Sequence, residues 1–285
     1  MSAGSPLVQR LLFPLATRFV AGDTIADALG VVERLRADGL RATVAVLGED
    51  VEQRADAERA ADAYARLIDA LAERALPAHL SLKLSALGAR LGDGSEVERY
   101  AAIVAQAART LPDPFVRVDM EGSATVDATL AAVAQTFATH PNTGPVLQAS
   151  LHRTPADVAD AVARGMRVRL CKGAYAEPAT VALRDAGEIR AAYLACATVL
   201  LREGATPAFA THDPAIIEAI RRAADAAGRS RDTFEFQLLY GVRGDLQRSL
   251  VRSGYAVRVY VPYGTHWAKY FRRRVMERRE NLLFA

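Results

Sequence analysis

Apolar residues along this chain follow two alternating rhythms. Short runs rich in β-branched and aromatic residues, with every second side chain polar, are separated by longer alanine-rich stretches whose apolar residues fall three or four apart. The short runs cover residues 42–47, 80–85, 115–121, 146–150, 168–172, 207–213, 234–239 and 256–262. Thr154-Pro155 and Asp213-Pro214 read as helix starts with proline in the first turn. One strand plus one helix recurs every 30 residues or so, about the size of a βαβ unit. Eight such units predict an α/β fold, a (β/α)8 barrel of the TIM type. The rival is an open doubly wound sheet, which announces its nucleotide site with GxGxxG or GxxxxGK[ST]; neither pattern occurs, and Gly92 and Gly94 read as a turn. Residues 1–40 read as a helical N-terminal arm, with one helix opening at Ser5-Pro6 and another at Asp23-Thr24 that ends near Gly39. Residues 41–285 read as the barrel domain, closed by a C-terminal helix over its mouth.

In a closed barrel the outer strand faces are covered by helices, so polar side chains belong inside, and there only if paired or lining a site. Alternation separates the two faces. Arg117, Asp119 and Glu121 oppose Val116, Val118 and Met120; Arg167 and Arg169 oppose Val168 and Leu170; Ser81, Lys83 and Ser85 oppose Leu82 and Leu84. Glu235 and Gln237 likewise oppose Phe234 and Phe236, and Arg258 and Tyr260 oppose Val257, Val259 and Val261. An inert barrel fills its interior with Val, Ile and Leu. Here Lys83, Asp119, Glu121, Arg169 and Glu235 are expected to converge near the strand C-termini, where barrel sites lie. Structural ion pairs would use the same residue types, so the pattern marks a site without naming its chemistry.

Composition narrows the picture. With 51% hydrophobic and 24% charged residues over 285 positions, the chain can fill a core. A formal net charge of +3, with acidic residues interspersed among the basic ones, gives no broad cationic face for nucleic acid. Two cysteines, Cys171 and Cys196, with no CxxC spacing suit a reducing compartment, and no apolar run reaches the length of a membrane span. The expected address is the cytosol, with at most peripheral contact at the inner face of the membrane. No HExxH or Cys/His cluster points to a metal, and His152 and His212 read as hydrogen-bonding residues near strand ends. Only three of the 36 basic residues are lysines, and two of these, Lys83 and Lys172, close predicted strands. Near the C-terminus Tyr270, Arg273, Arg274 and Glu277 fall on one helix face, where two guanidinium groups can grip a carboxylate or phosphate and Glu277 can hold one of them. The residues alone leave open a Schiff-base aldolase using Lys83 or Lys172, or a barrel that only binds a small anionic ligand or a partner.

Six segments carry a resemblance. Ser81-Leu82-Lys83-Leu84-Ser85, Val118-Asp119-Met120-Glu121, Arg169-Leu170-Cys171-Lys172-Gly173-Ala174-Tyr175, Ala210-Thr211-His212-Asp213, Phe234-Glu235-Phe236-Gln237 and Tyr270 with Arg273, Arg274 and Glu277 resemble, in content and order, the proline dehydrogenase family. The resemblance implies an FAD-dependent barrel that oxidises L-proline to Δ1-pyrroline-5-carboxylate, the first step of proline catabolism to glutamate. A hydride passes from proline C5 to flavin N5, and electrons go on to a membrane quinone. Carried over by residue, it implies that Arg273 and Arg274 bind the proline carboxylate, supported by Glu277. Lys83 and Asp119 pair beneath the ring, and Tyr260, Leu239 and Tyr270 close the pocket. Met120, Gln148, Arg169, Lys172, Gly173, Ala174, Thr211 and His212 contact the flavin, with Arg169 at its reactive edge; Asp119 and Arg169 are the expected catalytic pair. Tyr260 stands where relatives that prefer hydroxyproline tend to have a smaller residue, which favours proline. The product is one that a pyrroline-5-carboxylate dehydrogenase could receive.

Overall fold

The computed structural model describes residues 18–271. Eight parallel strands close on themselves in chain order: β1 (Arg41–Val46), β2 (Ala78–Leu82), β3 (Val116–Val118), β4 (Thr143–Gln148), β5 (Arg169–Cys171), β6 (Ala208–Ala210), β7 (Glu235–Leu239) and β8 (Ala256–Tyr263). Closure is made by β8 against β1, in register from Arg41 opposite Arg258 to Val46 opposite Tyr263. Helix α1 (Ile25–Ala37) precedes β1, and α2 (Arg54–Glu73), α3 (Ser95–Thr110), α4 (Val126–Phe137), α5 (Thr154–Ala163), α6 (Ala186–Glu203), α7 (Pro214–Ala226) and α8 (Gly244–Arg252) run between successive strands. This is the predicted TIM-type barrel. The expected helix at Ser5-Pro6 lies outside the described residues.

Local chemistry sets the helix starts. Thr24 accepts from the Asp27 N–H while Asp27 accepts from the Thr24 N–H, a capping box that opens α1. Asp213 accepts from the Ala215 N–H ahead of Pro214 at the start of α7. Each helix buries one stripe; that of α2 is Ala57, Tyr64, Leu67, Ile68 and Leu71. The stripes meet the outward strand residues Leu80, Val116, Val118, Leu170, Phe236, Val257 and Val259, all of them buried. The core is therefore a sleeve between strands and helices, and the barrel interior is left to polar residues.

Several strands stop earlier than their sequence runs. The second ends at Leu82, after which Leu84–Leu87 winds into a 3-10 turn, and the third is ordered as strand only over Val116–Val118. Between β2 and β3 the backbone pairing ends on a link from the Asp119 N–H to the Leu82 carbonyl at 2.7 Å, beyond which side chains cross-link the two, whereas β1 and β8, and β4 and β5, stay backbone-paired to the mouth.

The opposite end corrects one expectation. Glu235 is the first residue of β7, so it lies at the N-terminal end of the barrel and takes no part in the mouth. Its carboxylate accepts from Arg258 Nε at 2.9 and 3.1 Å and from Gln237 Nε2 at 2.6 Å, and Arg41 approaches to 3.6 Å. Nearby, His79 Nε2 lies 3.1 Å from Asp113, and Arg117 donates to the Arg167 carbonyl at 2.8 Å. Gly144 pairs in register with Arg117, and a Cβ there would collide with that same carbonyl. The guanidinium groups of Arg117 and Arg167 both lie over the Phe115 ring. Burial, reinforced by the Arg258 charge, drives the His79 pKa down to about 3.

These contacts give two expectations. Glu235→Leu leaves Arg258 buried without its carboxylate and should lower the unfolding free energy in urea by about 3–5 kcal/mol; a loss under about 1 kcal/mol would show the pair to be dispensable to the scaffold. His79 is neutral when folded but takes up a proton near pH 6.5 when unfolded. Its contribution is full above that pH and is lost as pH falls from 6.5 toward about 3, adding a slope of about 1.4 kcal/mol per pH unit that His79→Gln should remove. Equal slopes for both proteins in urea unfolding at pH 4.5–6 would contradict this.

Candidate active site

Past the end of β3 the chain reaches Asp119, whose carboxylate organises the upper interior. Oδ1 accepts from Ser81 Oγ on β2 at 2.7 Å and from Arg169 Nη1 on β5 at 2.8 Å; Oδ2 accepts from the Tyr260 hydroxyl on β8 at 2.8 Å. Arg169 Nη1 also approaches Ser81 Oγ at 3.3 Å, and the guanidinium stands 5.5 Å from the Tyr260 ring centroid. The side chains of Arg169 and Asp119 are only 6% and 15% exposed, so removing either one would leave the other charge buried and uncompensated. Burial, together with the Asp119 charge, holds the Tyr260 phenol well above its usual pKa, so it remains a hydrogen-bond donor. Arg169 has further capacity: Nε and Nη2 are buried with no hydrogen-bond partner among the described residues.

A second layer lies nearer the mouth. Lys83 Nζ is 3.6 Å from Glu49, in the loop after β1. Ser85 donates to Glu121 through Oγ at 2.5 Å and through its N–H at 3.2 Å, and Gln148 Nε2 donates to the Glu121 carbonyl at 3.0 Å. Burial pushes the Glu121 carboxyl up despite these donors. On the β5 and β6 side, Asp213 accepts from Lys172 Nζ at 3.2 Å and Arg190 Nη2 at 3.1 Å. Burial opposes ionisation of Asp213, and the Lys172 bond and charge outweigh it, so its carboxyl lies below the usual range. Thr211 Oγ1 accepts from the Asp213 N–H at 3.1 Å, and His212 Nε2 accepts from the Leu239 N–H at 2.9 Å. Met120 is buried, whereas Gly173 and Ala174 present exposed backbone. Gly173 has φ +116°, and a Cβ there would collide with Ser150 Oγ, so the loop after β5 turns tightly over the end of β4. Trp267, Tyr270 and Phe271 pack with Phe19, Val20 and Leu47, and Tyr260 sits against this cluster.

The structure thus brings Asp119, Arg169 and Tyr260 together, with Lys83, Glu121, Gln148, Lys172, Thr211, His212, Leu239 and Tyr270 on the same strand ends or the segment above them. Lys83 follows Leu82, which pairs in register with Val118, so it stands beside Asp119 at the strand ends; its ion pair is with Glu49 at 3.6 Å, while Asp119 accepts from three other donors. Arg273, Arg274 and Glu277 lie outside the described residues. Both strand-end lysines are engaged by carboxylates, Lys83 by Glu49 and Lys172 by Asp213, an arrangement that does not favour the aldolase's lysine nucleophile. Among the described residues no group of three or more His, Cys, Asp or Glu is arranged to hold a metal ion, and no helix is long and apolar enough to cross a membrane.

Three partners escaped the sequence reading as site residues. Ser81 shares the face of Lys83 and could have been picked by alternation. Asp213 gave only a helix-cap signal, although it also collects Lys172 and Arg190. Glu49 lies in a loop, where no periodicity marks the direction of a side chain.

The family model described as proline dehydrogenase matches residues 28–285. This chain belongs to the proline dehydrogenase family. A proline dehydrogenase of Deinococcus radiodurans is 37% identical over 98% of this chain and 91% of its own length. Proline dehydrogenase 1 of Bacillus subtilis strain 168 is 38% identical over 94% of this chain and 88% of its own. Among solved structures, proline utilization A from Bdellovibrio bacteriovorus, inactivated by N-propargylglycine, superposes with a TM-score of 0.87 at 25% identity; the match covers 95% of this chain and 33% of that protein. The activity carried here is that of a proline dehydrogenase, on a barrel shared with much longer relatives.

Proposed function

We propose that the chain oxidises L-proline to Δ1-pyrroline-5-carboxylate with a bound FAD, delivering the electrons to a membrane quinone. The observation that carries this reading is the Arg169 guanidinium, fixed by Asp119 and Ser81 yet keeping two buried N–H directions unspent. Such donors suit a ligand with hydrogen-bond acceptors in the plane of a ring. Two further observations support a flavin dinucleotide. Lys172 and Arg190 share one carboxylate, Asp213, so this corner carries surplus positive charge fit for a diphosphate. The exposed backbone of Gly173 and Ala174 allows close approach, as nucleotide loops require. Met120, Gln148, Arg169, Lys172, Gly173, Ala174, Thr211 and His212 would hold the cofactor, which when bound supplies a hydride acceptor for proline C5.

The remaining work falls to the chain. Tyr260, kept as a donor to Asp119, forms a wall that a ring hydroxyl on the substrate would crowd, which favours proline over 4-hydroxyproline. Leu239 and Tyr270 exclude water from the same space. Arg273 and Arg274, supported by Glu277, would take the carboxylate and so set which carbon faces the acceptor; each charged hydrogen bond contributes about 1.5–3 kcal/mol. Orientation and exclusion of water suffice, because no strong base is needed once the amine is unprotonated. Hand-off of the product to a pyrroline-5-carboxylate dehydrogenase is consistent with the likeness to the bifunctional protein PutA of Escherichia coli, 26% identical over a quarter of its length.

The test is spectroscopic. Purified protein reconstituted with FAD should be yellow and should bleach on anaerobic addition of L-proline, with slower bleaching by 4-hydroxyproline. Arg274→Ala should raise the KM for proline more than tenfold with normal flavin content. Protein that takes up no FAD, or binds it and stays oxidised with proline, would sink the proposal.

A further inference from the structure

Between Lys172 at the end of β5 and Asp185 at the start of α6 runs a long connection with no helix or paired strand of its own. Its far half is laced to the loop after β4: the His152 N–H donates to the Val181 carbonyl at 3.0 Å, the Leu183 N–H to the Ser150 carbonyl at 2.8 Å, and His152 Nε2 lies 3.0 Å from the Ala179 carbonyl. The near half, with Gly173 and Ala174, carries the exposed backbone that the flavin reading uses. Glu177 sits at the junction of the two. Its Oε1 accepts from the Ser123 N–H at 2.7 Å and its Oε2 from Ser123 Oγ at 2.6 Å, a two-pronged grip on the loop after β3 across 54 positions of sequence. Arg184 Nη2 donates to the Glu177 backbone carbonyl at 3.3 Å, which steadies the residue from its own loop.

Two features distinguish this grip from ordinary surface chemistry. Among the described residues no Lys or Arg pairs with the Glu177 carboxylate, so both oxygens are committed to one residue of another loop. The bridge also arches over β4, whose end carries Gln148, and joins the loop that follows Met120 and Glu121 to the loop that follows Lys172. These are the two sides of the proposed cofactor cleft.

We infer that Glu177 is a positioning residue for the cofactor, clasping the β5 loop to the β3 loop so that Gly173 and Ala174 are held in place before the nucleotide arrives. The inference rests on the flavin reading. Fixing a loop in its bound conformation in advance raises affinity by cutting the ordering cost at binding, so loss of the clasp falls on cofactor affinity. Glutamine preserves the geometry: its carbonyl accepts from the Ser123 N–H and its amide donates to Ser123 Oγ, which can accept.

The experiment titrates the apoprotein with FAD, following flavin fluorescence, and measures apoprotein melting in parallel. Glu177→Ala should raise the Kd for FAD at least tenfold, Ser123→Ala about threefold, and Glu177→Gln less than twofold, with the KM for L-proline at saturating FAD moving far less than the Kd. If Glu177→Ala lowers apoprotein melting by more than a few degrees, the milder Ser123→Ala decides alone. A Kd within twofold of the native value for the deciding variant overturns the clasp, as does a Glu177→Gln variant as weak as Glu177→Ala. A native chain that takes up no FAD strikes instead at the flavin reading.

Discussion

The Asp119 carboxylate is the knot on which the upper barrel depends. It receives Ser81, Arg169 and Tyr260 from three different strands, so one group fixes the relative placement of side chains that are far apart in sequence. A buried guanidinium without a carboxylate is costly, and so is a buried carboxylate without donors. Each makes the other's burial tolerable. The functional consequence is geometric: Arg169 is held at one end and is left with donors to spend.

The two ends of the barrel use the same residue types to opposite effect. At the N-terminal end Glu235 is saturated by Arg258, Gln237 and Arg41, and His79 is kept neutral by burial beside Arg258. Arg117 spends Nη1 on backbone carbonyls, and with Arg167 it leans on the Phe115 ring. That layer is built into the scaffold. Buried guanidinium N–H groups are left without a hydrogen bond in both layers, Arg117 Nη2, Arg167 Nε and Arg258 Nη2 below and Arg169 Nε and Nη2 above, and it is the mouth that adds exposed loop residues such as Gly173. Charge inside a barrel therefore says little by itself; its height along the strand decides whether it is structural or available.

That distinction explains what was legible in the sequence. Alternation identified the inward face of Asp119, Arg169 and Tyr260 because the helices outside force every outward residue to be apolar, and the count of strand and helix repeats identified the barrel. Height was harder to read. Glu235 has the right parity but belongs to the wrong end, because parity repeats every two residues and carries no information on where a strand begins. The strand ends at Leu82, so the ion pair that Lys83 makes with the loop residue Glu49 is one that alternation does not predict. The loop partners Glu49, Ser123 and Glu177 are invisible to periodicity, since loops have none.

A barrel mouth assembled this way has a characteristic weakness, and the loop contacts address it. Strands hold their inward side chains to within the precision of a hydrogen-bonded ladder, but a ligand as long as a dinucleotide reaches past the ladder onto loops that have none. Those loops must be ordered by something other than the ligand, or ordering them is charged against its binding. Backbone bonds do this on the β4 side, where residues 179–183 run beside Ser150 and His152. Toward β3 there is no strand neighbour for the loop to follow, so a side chain must reach across. A carboxylate that meets both the N–H and the O–H of one serine does so with directional bonds at both prongs, and a longer-range charge pair would fix the distance without fixing the orientation.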